Sequence, residues 1–372
     1  MRKILLATTA LVAFAGAAQA AESPIQVTLG GSVDFRAAMF QESEKTNTGA
    51  RREADFQTEY RFDVAADGKA AGGIEYGAKI SLYNGEDLGT TTAAADRDVR
   101  ADQAYVYMSG AWGKVLFGDE TGASDLFVYA PTVGEGQIDG SYVNFTDPAT
   151  LVPFLPTYVD NTENNTKITY YTPKVGNADH KVQLGVSYIP NPEQGIAVVK
   201  YDTDAYEDQI EAAIQYTGTV QDVNLALSPM MATGARNGNK VTDDIREYVL
   251  WGIGGQAAYA GFTLGASYVD AGNMGTQVGE DKDQDVFSVG LKYEFDKVAM
   301  AVNYMNGEGY LFTGGAATDY VDRYSAIGFG ATYTWFPGLT TALDTVFFDQ
   351  SRDTQTYDNE GHVLMLSQKM TF

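Results

Sequence analysis

From Ile25 to Met39 the chain alternates. Ile25, Val27, Leu29, Val33, Phe35, Ala37 and Met39 hold the odd positions, and Gln26, Thr28, Ser32, Asp34 and Arg36 lie between them. A period of two with polar residues on one side predicts a strand with one apolar face. The pattern returns at Phe56–Val64, where Gln57, Glu59, Arg61 and Asp63 interleave, and at Ile74–Leu82, around Glu75, Lys79 and Ser81. Later segments repeat it: Val182–Tyr188, Ile210–Tyr216, Val223–Leu227, Val249–Tyr259, Phe262–Tyr268, Phe287–Phe295, Val298–Tyr304, Ser325–Trp335, Leu339–Phe347 and Leu364–Phe372. With the pair flanking Trp112 and a short segment at Lys167–Thr172, this predicts about sixteen strands.

The connections alternate as well. Short turns fall at Ala66–Gly72, Gly110–Gly113, Pro173–Asp179, Thr217–Gln221, Ala260-Gly261, Asp296-Lys297 and Phe336-Pro337-Gly338. Between them come long polar loops, among them Gln41–Asp55, Asn84–Val99, Pro190–Asp208, Ser228–Arg246 and Asp349–Gly361. Short turns at one end and long loops at the other are the layout of a transmembrane antiparallel barrel. A soluble sandwich has no reason to keep that rhythm. Tyr83, Tyr188, Tyr216, Tyr259, Tyr268 and Trp335 stand near strand ends, where rings with an apolar body and a polar tip suit a membrane interface.

Residues 1–20 contain Arg2-Lys3, an apolar run and Ala18-Gln19-Ala20, the signature of a secretory signal peptide cleaved before Ala21. Beyond them no run approaches the roughly 18 consecutive apolar residues of a membrane helix. A membrane protein with this sequence must therefore cross as a closed barrel, since only helices and closed barrels satisfy their backbone groups in lipid. The expected organisation is a leader at 1–20 and one barrel domain at 21–372.

One stretch stands apart. Arg100–Ser109 alternates, turns through Gly110-Ala111-Trp112-Gly113, returns as Lys114-Val115-Leu116-Phe117-Gly118 and then runs from Asp119 to Asn165 without a clear period. Loops that long are usually functional. The segment from Ser109 through Asp119-Glu120-Thr121-Gly122-Ala123-Ser124-Asp125 resembles the hairpin that leads into the constriction loop of general diffusion porins of Gram-negative bacteria, the alphaproteobacterial type above all. Leu364, Leu366, Met370 and Phe372 resemble the terminal strand of outer-membrane proteins, with Gln368 departing from the apolar alternation toward a subunit interface or a tolerated position. The resemblance implies an all-β barrel of about 16 strands whose third long loop folds inward. It also implies passive diffusion of small hydrophilic solutes and ions across the bacterial outer membrane, and a homotrimer surrounded by outer-membrane lipid.

Composition narrows the alternatives. The chain has 372 residues, 40 Gly, 24 Tyr, 18 Phe and no Cys, so disulfides and thiolate chemistry are excluded. A net charge of −24 argues against nucleic acid, whose phosphates need Lys and Arg. It suits a surface that collects divalent cations. Asp281-Lys282-Asp283-Gln284-Asp285 spaces carboxylates like the start of a calcium loop, yet Val286 stands where the loop glycine belongs, so a solvated acidic loop is the expectation, with adventitious calcium bridging as the alternative. No other cofactor is implied. His180 and His362 lie in no Ser or Thr motif of the kind nucleophilic catalysis needs, so no enzyme is expected. The competing readings are a substrate-specific outer-membrane channel and a secreted soluble β-protein such as a lectin.

The candidate site is the constriction. The alternation turns Arg36, Arg61 and Lys79 toward the lumen, with Arg100 joining them if Tyr105 and Tyr107 face outward. The loop offers Asp119, Glu120, Asp125, Glu135, Asp139 and Asp147. A basic wall opposite an acidic loop would set a transverse field across the narrowest section.

Overall fold

The computed structural model of the protein describes residues 21–43, 52–84, 99–138, 140–146, 162, 164–190, 206–236, 246–274, 276, 284–309, 322–352 and 358–372. The leader expected at residues 1–20 lies outside them, as do Asp139, Asp147 and the acidic run at 281–283. Strands β1 (Ala21–Glu42), β2 (Ala54–Ala70), β3 (Glu75–Tyr83), β4 (Arg100–Gly110) and β5 (Gly113–Asp119) precede the long loop. After it come β6 (Thr166–Tyr171), β7 (Val175–Gly176), β8 (His180–Ile189), β9 (Tyr206–Val220), β10 (Val223–Arg236), β11 (Tyr248–Tyr259) and β12 (Phe262–Asp270). The series ends with β13 (Asp285–Phe295), β14 (Val298–Gly309), β15 (Asp322–Phe336), β16 (Leu339–Arg352) and β17 (Asn359–Thr371).

All belong to one 17-stranded sheet, in which β1 pairs with both β2 and β17. The sheet is therefore a closed ring with no free edge. Because β6 and β7 both pair with β8, they form a single crossing, and the ring is a 16-stranded antiparallel barrel.

Register settles which residues share a face, because directly paired residues of neighbouring strands point the same way. Val33, Phe35, Ile80, Val106, Phe117, Leu264 and Leu343 all point outward, and Ile80 and Leu264 are 49% and 56% exposed. Soluble proteins seldom expose apolar patches beyond a few hundred Å². Here the apolar surface runs right round the ring, as a lipid-facing surface must. Among the described residues no helix is long and apolar enough to span a bilayer.

One rim is drawn in by tight turns. Ala260 and Gly261 both have positive φ (50° and 88°), the backbone a two-residue hairpin turn needs, and Asp296 (50°) and Gly338 (86°) mark similar turns. Aromatic rings flank these turns, with Phe262 stacked on Tyr293 at 4.4 Å and Tyr333 edge-on to Trp335 at 4.7 Å. Gln368 sits in the outward apolar field beside Phe35 and is nonetheless satisfied. Its Nε2 donates to the Thr340 carbonyl (2.8 Å), and its Oε1 accepts from the Thr341 hydroxyl (2.6 Å). A polar group whose bonds are met within its own sheet is tolerated against lipid.

Tyr83 faces the lumen beside Arg61 rather than a membrane interface, and the turns expected at Ala66–Gly72 and Thr217–Gln221 are strand through Ala70 and Val220. Two further expectations need correcting. The segment placed in a loop from Ser228 belongs to β10, which continues to Arg236. Pro229 obscured this, since it has no N–H to donate; it falls where the β9–β10 ladder skips between Leu227↔Tyr216 and Met230↔Ala213. The second correction concerns β4. Its Tyr105 and Tyr107 pair with Lys79 and Gly77 and face inward, while Val106 and Met108 face lipid at 54% and 46% exposure. Arg100 still lies opposite Tyr83 on the inner face, because a bulge between Ser81 and Leu82 shifts the register.

The interior is not uniformly polar. On β10–β17 the inward positions Met230, Leu250, Val269, Val286, Met305, Val346 and Met365 are buried with Ile138, Tyr142 and Phe145 of the long loop. That side of the barrel is filled. The polar space lies on the other side, along β1–β4.

The constricted lumen as candidate functional site

Inside β1 and β2, register places Asp34 opposite Glu59, Arg36 opposite Gln57 and Ser32 opposite Arg61. Arg36 is only 3% exposed and sits among three carboxylates: Asp34 at 2.8 Å, Glu59 at 2.6 Å and Glu135 of the loop at 3.5 Å. Gln57 also accepts from it at 3.4 Å. Arg61 pairs with Asp102 and, at 3.8 Å, with Asp63, while its guanidinium lies 6.0 Å from the centre of the Tyr83 ring. Lys79 reaches Asp63 at 3.7 Å and donates to Gln103 at 3.2 Å. The bases of this wall thus have acids beside them on the same wall.

That arrangement differs from a basic wall facing an acidic loop. Asp34, Glu59 and Asp63 share the inward phase with Arg36 and Arg61, a fact already readable from the alternation, whereas Asp102 sits at the β4 bulge where the alternation breaks. Lys369, on β17, was missed too. Its Nζ bonds Glu135, so the loop carboxylate is held between Arg36 and Lys369. Ser32, Asp34, Arg61, Tyr83, Asp102 and Glu135 line part of a cavity of about 320 Å³ on this side.

The loop acids divide. Asp119 lies on the outward phase, opposite Ala104 and Thr166, and accepts from the Thr166 hydroxyl. Glu120 is buried and accepts from the Gly122 amide at 2.9 Å. Asp125 is exposed in a short 3₁₀ turn, Ala123–Leu126. Only Glu135 among the described loop acids touches the basic residues of the wall.

The loop itself is fastened to the wall in nearly strand order. Gln215 of β9 donates to the Leu126 carbonyl (2.9 Å), the Val128 amide donates to Ser228 Oγ of β10 (2.6 Å), and Gln256 of β11 donates to the Tyr129 carbonyl (2.7 Å). Asn303 of β14 donates to Gln137 Oε1 at 2.8 Å. The amides of Glu135 and Gly136 donate to Asp344 of β16 at 3.2 and 3.3 Å. Tyr142 and Tyr324 of β15 share a hydroxyl bond of 2.5 Å, and Asn144 donates to Gln57 of β2 at 3.1 Å. At the root, Lys167 donates to the Thr121 carbonyl (3.0 Å) and the Thr162 hydroxyl (2.7 Å), tying the two ends of the loop together.

These partners are spread over most of the ring. Sequence patterning did not reveal them, because Gln215 and Gln256 look like ordinary inward polar residues and Ser228 falls in a segment read as a loop. The two histidines have structural partners instead. His180 Nδ1 is 2.8 Å from the Tyr216 hydroxyl, and His362 stacks on Phe347 at 5.8 Å.

No curated protein sequence matches the chain. Among solved structures, OmpF of Salmonella typhi in complex with daunomycin superposes with a TM-score of 0.62 at 16% identity, covering 93% of this chain and 98% of that one. The outer membrane channel DcaP of Acinetobacter baumannii gives 0.59 at 14% identity over 94% and 97%. In-vitro folded OmpT of Vibrio cholerae, an outer membrane protein in its trimer form, gives 0.56 at 12% identity over 93% and 99%. At such identities the likeness is one of fold. Residues 7–353 match the family described as Gram-negative porin, and the chain belongs to that family.

Proposed function

We propose that this outer-membrane channel passes small hydrophilic solutes and ions by diffusion along the β1–β4 wall, with a preference for cations. The observation that carries this reading is the cavity of about 320 Å³ between that wall and Glu135, on the side of the lumen that the loop leaves open. Apolar solutes are disfavoured there, because they would have to displace water held by charged groups. The constriction comprises Arg36, Arg61, Lys79 and Arg100 from the wall, with Glu135 reaching across from the loop. Asp125 adds charge to the open side and Glu120 works from a buried position at the loop root; Asp139 and Asp147, outside the described residues, are further acids of the same loop by sequence alone. Asp119 belongs to the rim instead.

Carboxylates outnumber cations on the described inner faces of β1–β4, counting Asp34, Glu42, Asp55, Glu59, Asp63, Asp67, Glu75 and Asp102 against Arg36, Arg61, Lys69, Lys79 and Arg100. Low-dielectric walls focus such an excess into the water path. The same acidity, −24 over the chain, supports calcium bridging at the outer loops rather than any resident cofactor. The reading needs no catalytic step, and His180 and His362 are engaged by aromatic neighbours. A homotrimer is supported by the trimer form of the OmpT neighbour, and the alphaproteobacterial type by the hairpin at 109–125.

Purified protein added to a planar bilayer should give stepwise ionic currents with a reversal potential on the cation side of a salt gradient. Neutralising Arg36 and Arg61 together should increase that preference, and neutralising Glu135 and Asp139 should reduce it. A protein without conductance would overturn the channel reading; unchanged reversal potentials in both double variants would overturn the constriction alone.

A further inference from the structure

The wall opposite the charges has a peculiarity of its own. Where the loop crosses β11, β12 and β13, the inward residue beneath it is a glycine: Gly254, Gly265 and Gly290. A Cβ on Gly254 would fall on the Val128 carbonyl. One on Gly265 would come within 2.9 Å of Pro131 Cδ, and one on Gly290 within 3.0 Å of the Pro131 carbonyl oxygen. Side chains at these three positions would occupy space that the loop takes, and at Gly265 also that of the Gln256 side chain, whose Cγ lies at 2.7 Å.

The spacing of the loop matches the spacing of the strands. Neighbouring strands lie about 4.8 Å apart and an extended residue advances about 3.4 Å. From Leu126 on β9 to Pro131 at β13 the loop spends five residues, about 17 Å, to cross about 19 Å of wall. It lies on the sheet as a strap at right angles to the strands. Gln215, Ser228 and Gln256 bond it there, and the glycines let it lie flush.

We infer that Gly254, Gly265 and Gly290 are the size-determining positions of this channel. They fix how far the loop stands from its own wall, and hence how much water remains in front of the charges. This rests on the channel reading above and adds that selection by size is set on the wall opposite the charges of β1–β4. Bulk added under the strap must push it toward Arg36 and narrow the path. Bulk added on the same strand but facing lipid must not. Gly255 supplies that control, since a Cβ there meets only the Ala226 carbonyl at 3.1 Å and Leu227.

The chain has no cysteine, so the seat can be tested with an engineered pair in the full-length protein folded into lipid. A Cβ at Gly290 lies 3.3 Å from Ala130 Cβ, close to the roughly 3.5–4.5 Å that a disulfide spans. The variant Ala130→Cys with Gly290→Cys should lose both free thiols on mild oxidation. Two thiols that stay free would overturn the inference whether or not the protein conducts. In single-channel recordings Gly254→Val should lose conductance relative to Gly255→Val and the parent; equal conductance in all three overturns it. Should Gly254→Val fail to assemble, Gly265→Ala takes its place with the same two outcomes. A parent that gives no current refutes the channel reading and leaves the thiol result to decide where the loop lies.

Discussion

The two inner walls of this barrel solve opposite problems with the same alternation. On β1–β4 the inward positions are charged, paired with one another and open to a cavity. On β10–β17 many are glycines, methionines and aliphatic residues covered by the loop, and polar ones such as Ser228, Asn303 and Asp344 bond it. One wall holds charge beside water and the other holds backbone against backbone. A narrow aqueous path therefore does not require a small barrel. It requires one half of the lumen to be filled and the other half to keep its charges paired.

The strongest test of that contrast is Arg36. Changing it to Ala leaves Asp34, Glu59 and Glu135 facing one another with a central cation gone, and removing one partner of such a buried cluster costs about 3–5 kcal/mol. Urea unfolding in lipid should show the loss, and the reversal potential should move toward cations. A variant as stable as the parent would mean that the cluster is hydrated rather than buried. Next in size is Ile80→Arg, which sets a charge against hydrocarbon at about 2–4 kcal/mol near the midplane. Its neighbour Lys79→Gln should assemble normally and change only selectivity. If both assemble equally well, the two faces have been assigned wrongly.

On the filled wall, Ser228→Ala removes the acceptor of the Val128 amide and leaves it unsatisfied, a loss of about 1–3 kcal/mol. Noisier single-channel current should accompany it, since the loop loses a fastening point. The smallest effect on stability is expected from Arg61→Gln, at no more than about 1 kcal/mol, because this half-exposed cation pairs in reach of solvent. Its reversal potential should nevertheless shift toward cations. Stability and selectivity thus separate at Arg61 and coincide at Arg36.

The barrel was legible because its outer face obeys a single rule over many strands. Ile80 and Leu264 could be placed from alternation alone, and so could Arg36, Arg61 and Lys79. The failures came where a local feature broke the period. Pro229 looked like a strand end, although it occupies a rung that needs no donor. Tyr105 and Tyr107 looked like lipid-facing aromatics until the bulge beside Leu82 allowed Arg100 and the tyrosines to face the same way.

The loop was visible only as an absence of pattern. Its bonds to Ser228, Asp344 and Lys369 join residues about 100, 208 and 234 positions apart, beyond the reach of any local reading. The glycines under it were present in the sequence, but a glycine on a strand does not announce what approaches it. The ion pairs were half legible. Asp34 and Glu59 stand in phase with Arg36, and only the register shows that they share its charge.

The ring closes by pairing Ser32 with Thr371 and Arg36 with Ser367. Nearly the whole chain lies between these partners, so the last pairing to form is also the most distant in sequence. Contacts of such separation make folding slow, because entropy is lost before they form. Until they do, the sheet has two open edges, each able to recruit another copy. In water the unclosed intermediate would expose both those edges and the apolar outer face, and would aggregate. A productive route must therefore bring the outer face into lipid before, or as, β1 meets β17, so that membrane insertion and closure become one kinetic event.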